Sequence, residues 1–176
     1  STEIGYVSDR NFLEQYYERE WDQQKDATTG LELLRNRDNR SLSLWVDARV
    51  NDFWMQNESL PRLDHYVLGQ PILMNALNWS AHTYGGYMHL NPAVAPTNPV
   101  DIQTWTPLPG EVDAEGGVFG TRHLVEAPVQ LGPVRVVPYA LGEGSYYYKD
   151  VNQEDITRFY GEAGLRASLP FWKVDP

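Results

Sequence analysis

Ser41-Leu42-Ser43-Leu44-Trp45-Val46-Asp47-Ala48-Arg49-Val50 alternates with a period of two, the period of a β-strand. Leu42, Leu44, Val46, Ala48 and Val50 share one face, and Ser41, Ser43, Trp45, Asp47 and Arg49 share the other. Three further segments repeat the pattern. In Thr157–Leu169, Phe159, Ala163, Leu165 and Leu169 lie opposite Arg158, Glu162 and Arg166. In Phe119–Leu131, Phe119, Val125, Ala127, Val129 and Leu131 lie opposite Arg122 and Glu126. Leu77, Trp79, Ala81 and Tyr87 oppose Asn78, Ser80 and His82. These runs exceed the ~5–6 residues of an ordinary soluble strand and suit the ~9–11 residues of a tilted membrane-spanning one.

The connections carry a second pattern. Tight links around Arg37-Asp38-Asn39-Arg40, around Pro71 and Asn75, and at Gly132-Pro133 alternate with longer ones at 51–60, 91–117 and 149–155. Short turns on one side and long loops on the other are the habit of bacterial outer-membrane barrels. The reading gives about seven antiparallel strands over residues 29–176, with a Pro-rich loop at 91–117. The segment 1–28 is expected to be a short helix or irregular, with Leu13, Tyr17 and Trp21 at helical spacing. Pro128 and Pro138 fit poorly inside strands, because each removes a ladder donor. Glu143 shares its parity with Val137, Tyr139 and Leu141, so a bulge at Gly142 or Gly144, or a place at the rim, is expected for it.

The 176 residues carry 14 Lys plus Arg against 24 Asp plus Glu, a net charge of -10, which argues against a nucleic-acid partner. With no cysteine, thiolate metal sites and disulfides are excluded. No apolar run reaches the length of a membrane helix. The opening at Ser1 and the abrupt close at Pro176 lead us to expect an internal portion of a longer protein. Glu14, Glu18, Glu20 and Asp22 form an acidic cluster, which reads as a solvated face more readily than as a glycosidase pair. His65, His82, His89 and His123 lack metal-site spacing, and Glu111, Asp113 and Glu115 match no calcium loop. Tyr146-Tyr147-Tyr148 reads as an interfacial girdle at a strand end. No catalytic motif, cofactor or metal is expected.

The charged residues that alternate with apolar ones are different in kind. Ser43, Asp47, Arg49, Arg122, Glu126, Arg158, Glu162 and Arg166 are expected to line a wet lumen. Leu42, Leu44, Val46, Phe159, Leu165 and Leu169 are expected to face lipid. The fold class expected is therefore all-β, with antiparallel up-and-down strands forming part of a large transmembrane outer-membrane β-barrel.

Several motifs, taken in order, point to a family. Val7-Ser8-Asp9-Arg10-Asn11-Phe12, Ser59-Leu60-Pro61-Arg62-Leu63-Asp64, Thr121-Arg122-His123-Leu124 with Gly132-Pro133-Val134, and Arg158-Phe159-Tyr160-Gly161 running to Leu165-Arg166-Ala167-Ser168-Leu169-Pro170 resemble the barrel domain of the LPS-assembly protein LptD, the organic solvent tolerance (OstA) family. The resemblance spans about Val7 to Pro170. It implies an outer-membrane location in a diderm bacterium and transport of lipopolysaccharide into the outer leaflet, without bond chemistry. It also implies a plug lipoprotein (LptE-like), periplasmic LPS-bridge proteins and outer-membrane lipid as partners. The family's jellyroll domain is not recognisable here, its lateral-gate strand pairs are expected outside this stretch, and the cysteines of some members are absent. The alternatives are a porin or other outer-membrane channel, a soluble carbohydrate-binding β-sandwich and, last, a glycoside hydrolase.

Overall fold

The computed structural model describes residues 1–7, 12–17, 19, 29–103, 105–106, 112–149 and 152–170. After a two-residue strand β1 (Thr2–Glu3) and a single helical turn α1 (Phe12–Tyr16), the chain is a succession of strands. These are β2 (Thr29–Arg37), β3 (Arg40–Ala48), β4 (Gln56–Ile72), β5 (Leu77–Asn91), β6 (Ala114–Glu126), β7 (Val129–Leu131), β8 (Val134–Tyr148) and β9 (Ile156–Ser168). All pair antiparallel in one sheet, in the order β1-β2-β3-β4-β5-β6-β8, with β7 and β9 also on β8. The protein is thus all-β and up-and-down, and the sheet is not closed. The acidic cluster at Glu14, Glu18, Glu20 and Asp22, most of the Leu13–Trp21 stripe and Glu111 fall outside the residues or side chains described.

β6 and β7 run along one edge of β8 as a single strand with a gap at Ala127-Pro128. Glu126 pairs with Tyr139 and Val129 with Val136, so Pro128 and Pro138 fall in the same interruption. Ala127 N still donates to Pro138 O at 2.9 Å, and Pro138 cannot donate back. Ala127 and Pro138 form the hydrogen-bonded pair, so the Pro128 nitrogen points to the opposite edge and only Pro138 withholds a bond from this ladder. On its other edge β8 is unbroken, and Pro138 lies opposite Leu165.

β4 is the longest strand at 17 residues and contains two irregularities against β5, between Ser59 and Arg62 and between Val67 and Gln70. It begins at Gln56, so the link after β3 is shorter than the expected 51–60. No bulge occurs at Gly142 or Gly144; β8 runs in continuous register against both neighbours.

Antiparallel ladders place paired residues on the same face, so the register carries one phase across the whole sheet. Leu42, Leu44 and Val46 share a face with Leu33, Leu31 and Leu63 through direct pairs, and the ladders extend that face to Trp79, Ala81, Val125, Phe119, Ala140, Phe159 and Leu165. We call this the apolar face. The other, polar face holds Ser43, Asp47, Arg62, Asp64, His82, Arg122, Glu126, Glu143, Arg158, Glu162 and Arg166.

A single layer has no interior. The accessible surface is 12786 Å², whereas a compact monomer of this mass exposes about 8,700 Å². Among the described residues the buried apolar ones are Val7, Val67, Ala81, Val118 and Leu141. Large apolar side chains lie open, with Phe159 85% and Leu165 64% exposed. A sheet in this condition requires a second layer or an apolar medium against it.

The turn Leu73–Ala76 joins β4 to β5 with Leu73, Met74 and Asn75 at φ of 49°, 56° and 67°. A left-handed conformation costs a residue with a Cβ roughly 1–2 kcal/mol, and Asn tolerates it better than Leu or Met. Met74→Gly is therefore expected to raise the unfolding midpoint, by about 0.5–1 kcal/mol. Urea titration of the folded protein checks this.

Candidate functional site

The candidate site is the polar face. On β3, Ser43 and Asp47 reach it because they alternate with Leu42, Leu44 and Val46. Across the next ladder Ser43 lies opposite Asp64. Asp64 is the buried carboxylate of this face, and it is neutralised locally. Arg62 Nε and Nη2 donate to its two oxygens at 2.8 and 3.1 Å, and His82 Nε2 lies 2.8 Å from Oδ1. The Tyr66 ring stacks on His82 at 4.0 Å and 6°, and the Arg62 guanidinium sits over Tyr84 at 5.7 Å. A carboxylate this shielded from water needs such partners. The two irregularities of β4 bracket this group.

A second group spans β6, β8 and β9. Tyr139 and Tyr160 donate to the two oxygens of Glu162 at 2.5 and 2.7 Å. Arg166 Nη2 reaches Glu126 at 2.9 Å across the intervening strand and lies over the Tyr139 ring at 4.5 Å. Arg122 Nε approaches Glu143 at 3.9 Å, a half-exposed pair of small energetic weight. Arg158 covers Tyr147 at 5.1 Å. The face is thus a lattice of arginines, carboxylates and tyrosines, with hydrogen-bonding groups turned to water.

Two cross-strand joints hold this lattice in shape. A Cβ on Gly120 would lie 2.4 Å from Tyr84 Cζ, and one on Gly164 would lie 2.6 Å from the Tyr139 hydroxyl. Each tyrosine lies over the glycine paired with it on the next strand, an arrangement in which an aromatic ring covers the bare backbone. Phe119 and Phe159 make looser versions over Gly85 and Gly144 on the apolar face.

Of the residues expected to line the lumen, Ser43, Asp47, Arg122, Glu126, Arg158, Glu162 and Arg166 all lie on this one face. Arg49 does not belong with them. It stands beyond the end of β3, its backbone N–H donating to Glu58 and its Nη1 to Pro92 O, so it ties two long connections together. Leu42, Leu44, Val46, Phe159 and Leu165 lie together on the opposite face, and Leu169 follows the end of β9. Sequence reasoning missed the Arg62–Asp64–His82 group. Its signal was the two-residue spacing of Arg62 and Asp64 in a strand whose faces were not assigned.

The apolar face is charge-free across its middle. Arg35, Arg37 and Arg40 stand at the end carrying the tight turns, and Glu58 and Glu115 at the end carrying the long connections. Between them, β8 presents Val134, Val136, Pro138, Ala140, Gly142, Gly144, Tyr146 and Tyr148. Here Trp79 Nε1 donates to His123 Nδ1 at 3.2 Å, His123 Nε2 lies 2.9 Å from Thr121 Oγ1, and Thr121 Oγ1 lies 2.9 Å from Thr83 Oγ1. These polar groups satisfy one another. Tyr146 and Tyr148 face the apolar side at the long-connection end, and Tyr147 faces the polar side.

No group of three metal-capable side chains occurs among the described residues, and no helix is long and apolar enough to cross a membrane. Comparison with family models, curated proteins and solved structures returns no match.

Gly120→Ala is expected to displace Tyr84 and destabilise the fold by about 1–3 kcal/mol. In a double-mutant cycle, Tyr84→Ala should remove most of that penalty, read as a non-additive shift in the urea midpoint.

Proposed function

We propose that this chain is a stretch of the wall of a bacterial outer-membrane β-barrel, and that the barrel is an LptD-like translocon delivering lipopolysaccharide to the outer leaflet. The observation that carries the wall reading is the pairing of an uncharged, open face with a densely charged one, in phase across β2 to β9. A lipid face and a wet lumen demand that division. Supporting it, tight turns at Asp38–Asn39, Leu73–Ala76 and Gly132–Pro133 fall on one side, and the connections 49–55, 92–113 and 149–155 on the other. The edge of β2 beyond the short β1 pairing and the edge of β9 pair with further strands, since unpaired backbone groups in hydrocarbon cost several kcal/mol each.

The assignment to lipopolysaccharide export rests on the resemblance of the ordered motifs from Val7 to Pro170. Under that assignment the polar face is a hydrated surface past which a charged glycan moves, and the plug lipoprotein and bridge proteins act elsewhere on the same assembly. The site performs transport and makes or breaks no covalent bond.

Two lysines placed in neighbouring positions of β3 test the phase. Val46→Lys puts a charge on the lipid face at a cost of about 2–4 kcal/mol if near the midplane, and is expected to abolish the heat-dependent mobility shift of the barrel on SDS gels. Ser43→Lys, opposite Asp64 on the wet face, is expected to retain it. Equal loss in both variants rejects the phase. Depletion of the protein in cells is expected to lower surface lipopolysaccharide; unchanged lipopolysaccharide with altered solute permeability would make it a channel.

A further inference from the structure

Beside Pro128 the polar face holds a hollow, near the tight-turn end of the sheet. It encloses about 300 Å³ and is lined by Asn78, Glu126, Pro128, Arg135, Arg166 and Ser168, among others. Two guanidinium groups meet one carboxylate there. Arg166 is already engaged with Glu126 at 2.9 Å. Arg135, opposite Gln130 on one strand and Ser168 on the other, has no carboxylate partner among the described residues. The hollow therefore holds a surplus positive charge in a chain whose net charge is -10.

We propose that this hollow binds one anionic group of a saccharide, a phosphate or a carboxylate, with Arg135 as the principal cation. A guanidinium offers paired donors to either oxyanion. Arg166 cannot substitute for it, because its charge is spent on Glu126. Asn78 and Ser168 supply uncharged hydrogen-bonding groups beside the charge, as a sugar hydroxyl requires. Glu126 excludes a second anionic group from the same space, so the site takes one. The inference rests on the wall reading only in requiring that the polar face be wet.

The test uses the full-length protein folded in detergent micelles at low ionic strength. Glucose 6-phosphate, glucuronate and glucose are titrated separately and followed by calorimetry. Saturable binding of glucose 6-phosphate or glucuronate, with glucose binding absent or far weaker, is expected; which acid binds identifies the oxyanion. Arg135→Gln should weaken that binding about tenfold or more, Arg135→Lys should restore part of it, and Arg37→Gln, on the opposite face at the β2–β3 hairpin, should leave it unchanged. Equal binding of glucose, or binding indifferent to Arg135→Gln, overturns the proposal. The heat-dependent gel shift of the same preparation separates the two readings. A shift without saccharide binding removes the hollow's role alone. Binding without a shift removes the membrane wall alone.

Discussion

Register is the constraint on which every other property of this sheet depends. A slip of one residue in any ladder would carry that strand's charges to the apolar side and its leucines to the polar side. Nothing behind the sheet would correct the error, because among the described residues no second layer packs on either face. What pins the register is distributed over the strands themselves. Tyr84 can lie over Gly120 and Tyr139 over Gly164 only in one alignment, and Arg62, Asp64 and His82 come together only if β4 and β5 keep theirs.

The same constraint explains how polar residues are accommodated on the wrong side. Trp79, His123, Thr121 and Thr83 interrupt the apolar face, yet their polar atoms form one chain of hydrogen bonds. Each polar atom of the chain has a partner within it, which limits the cost of placing these groups among apolar neighbours. On the other face the logic reverses: Asp64 keeps its charge because two donors surround it.

Much of this was legible in the amino-acid order and some of it was not. The alternation of Leu42, Leu44 and Val46 with Ser43 and Asp47, or of Phe159 and Leu165 with Arg158 and Glu162, fixes a face within each strand by period alone. Period alone does not give the end of a strand, so Arg49 was placed on the polar face although β3 stops at Ala48. Nor does it survive a bulge: the two irregularities in β4 reset its phase, and Arg62 and Asp64 were left unassigned. Glu143 needs no bulge, because Val137, Tyr139 and Leu141, which share its parity, are not apolar-face residues. They stand on the polar side, where the rings of Tyr139 and Tyr147 meet arginines. The place of Arg135 beside Asn78, Glu126 and Arg166 depends on four different strands and the β6–β7 link, which no local pattern encodes.

Each strand from β2 onward pairs with one that precedes or follows it in the chain, apart from the short gap that divides β6 from β7. Every hairpin can therefore close with little search. Loop-closure entropy grows only as about (3/2)RT ln n, so even the connection 92–113 penalises its ladder modestly compared with the tight turns. A chain wired in this way has low contact order for an all-β protein, whose usual slowness comes from pairing distant segments. It can be added to a growing sheet one hairpin at a time from either edge, and no strand must wait for a partner synthesised much later.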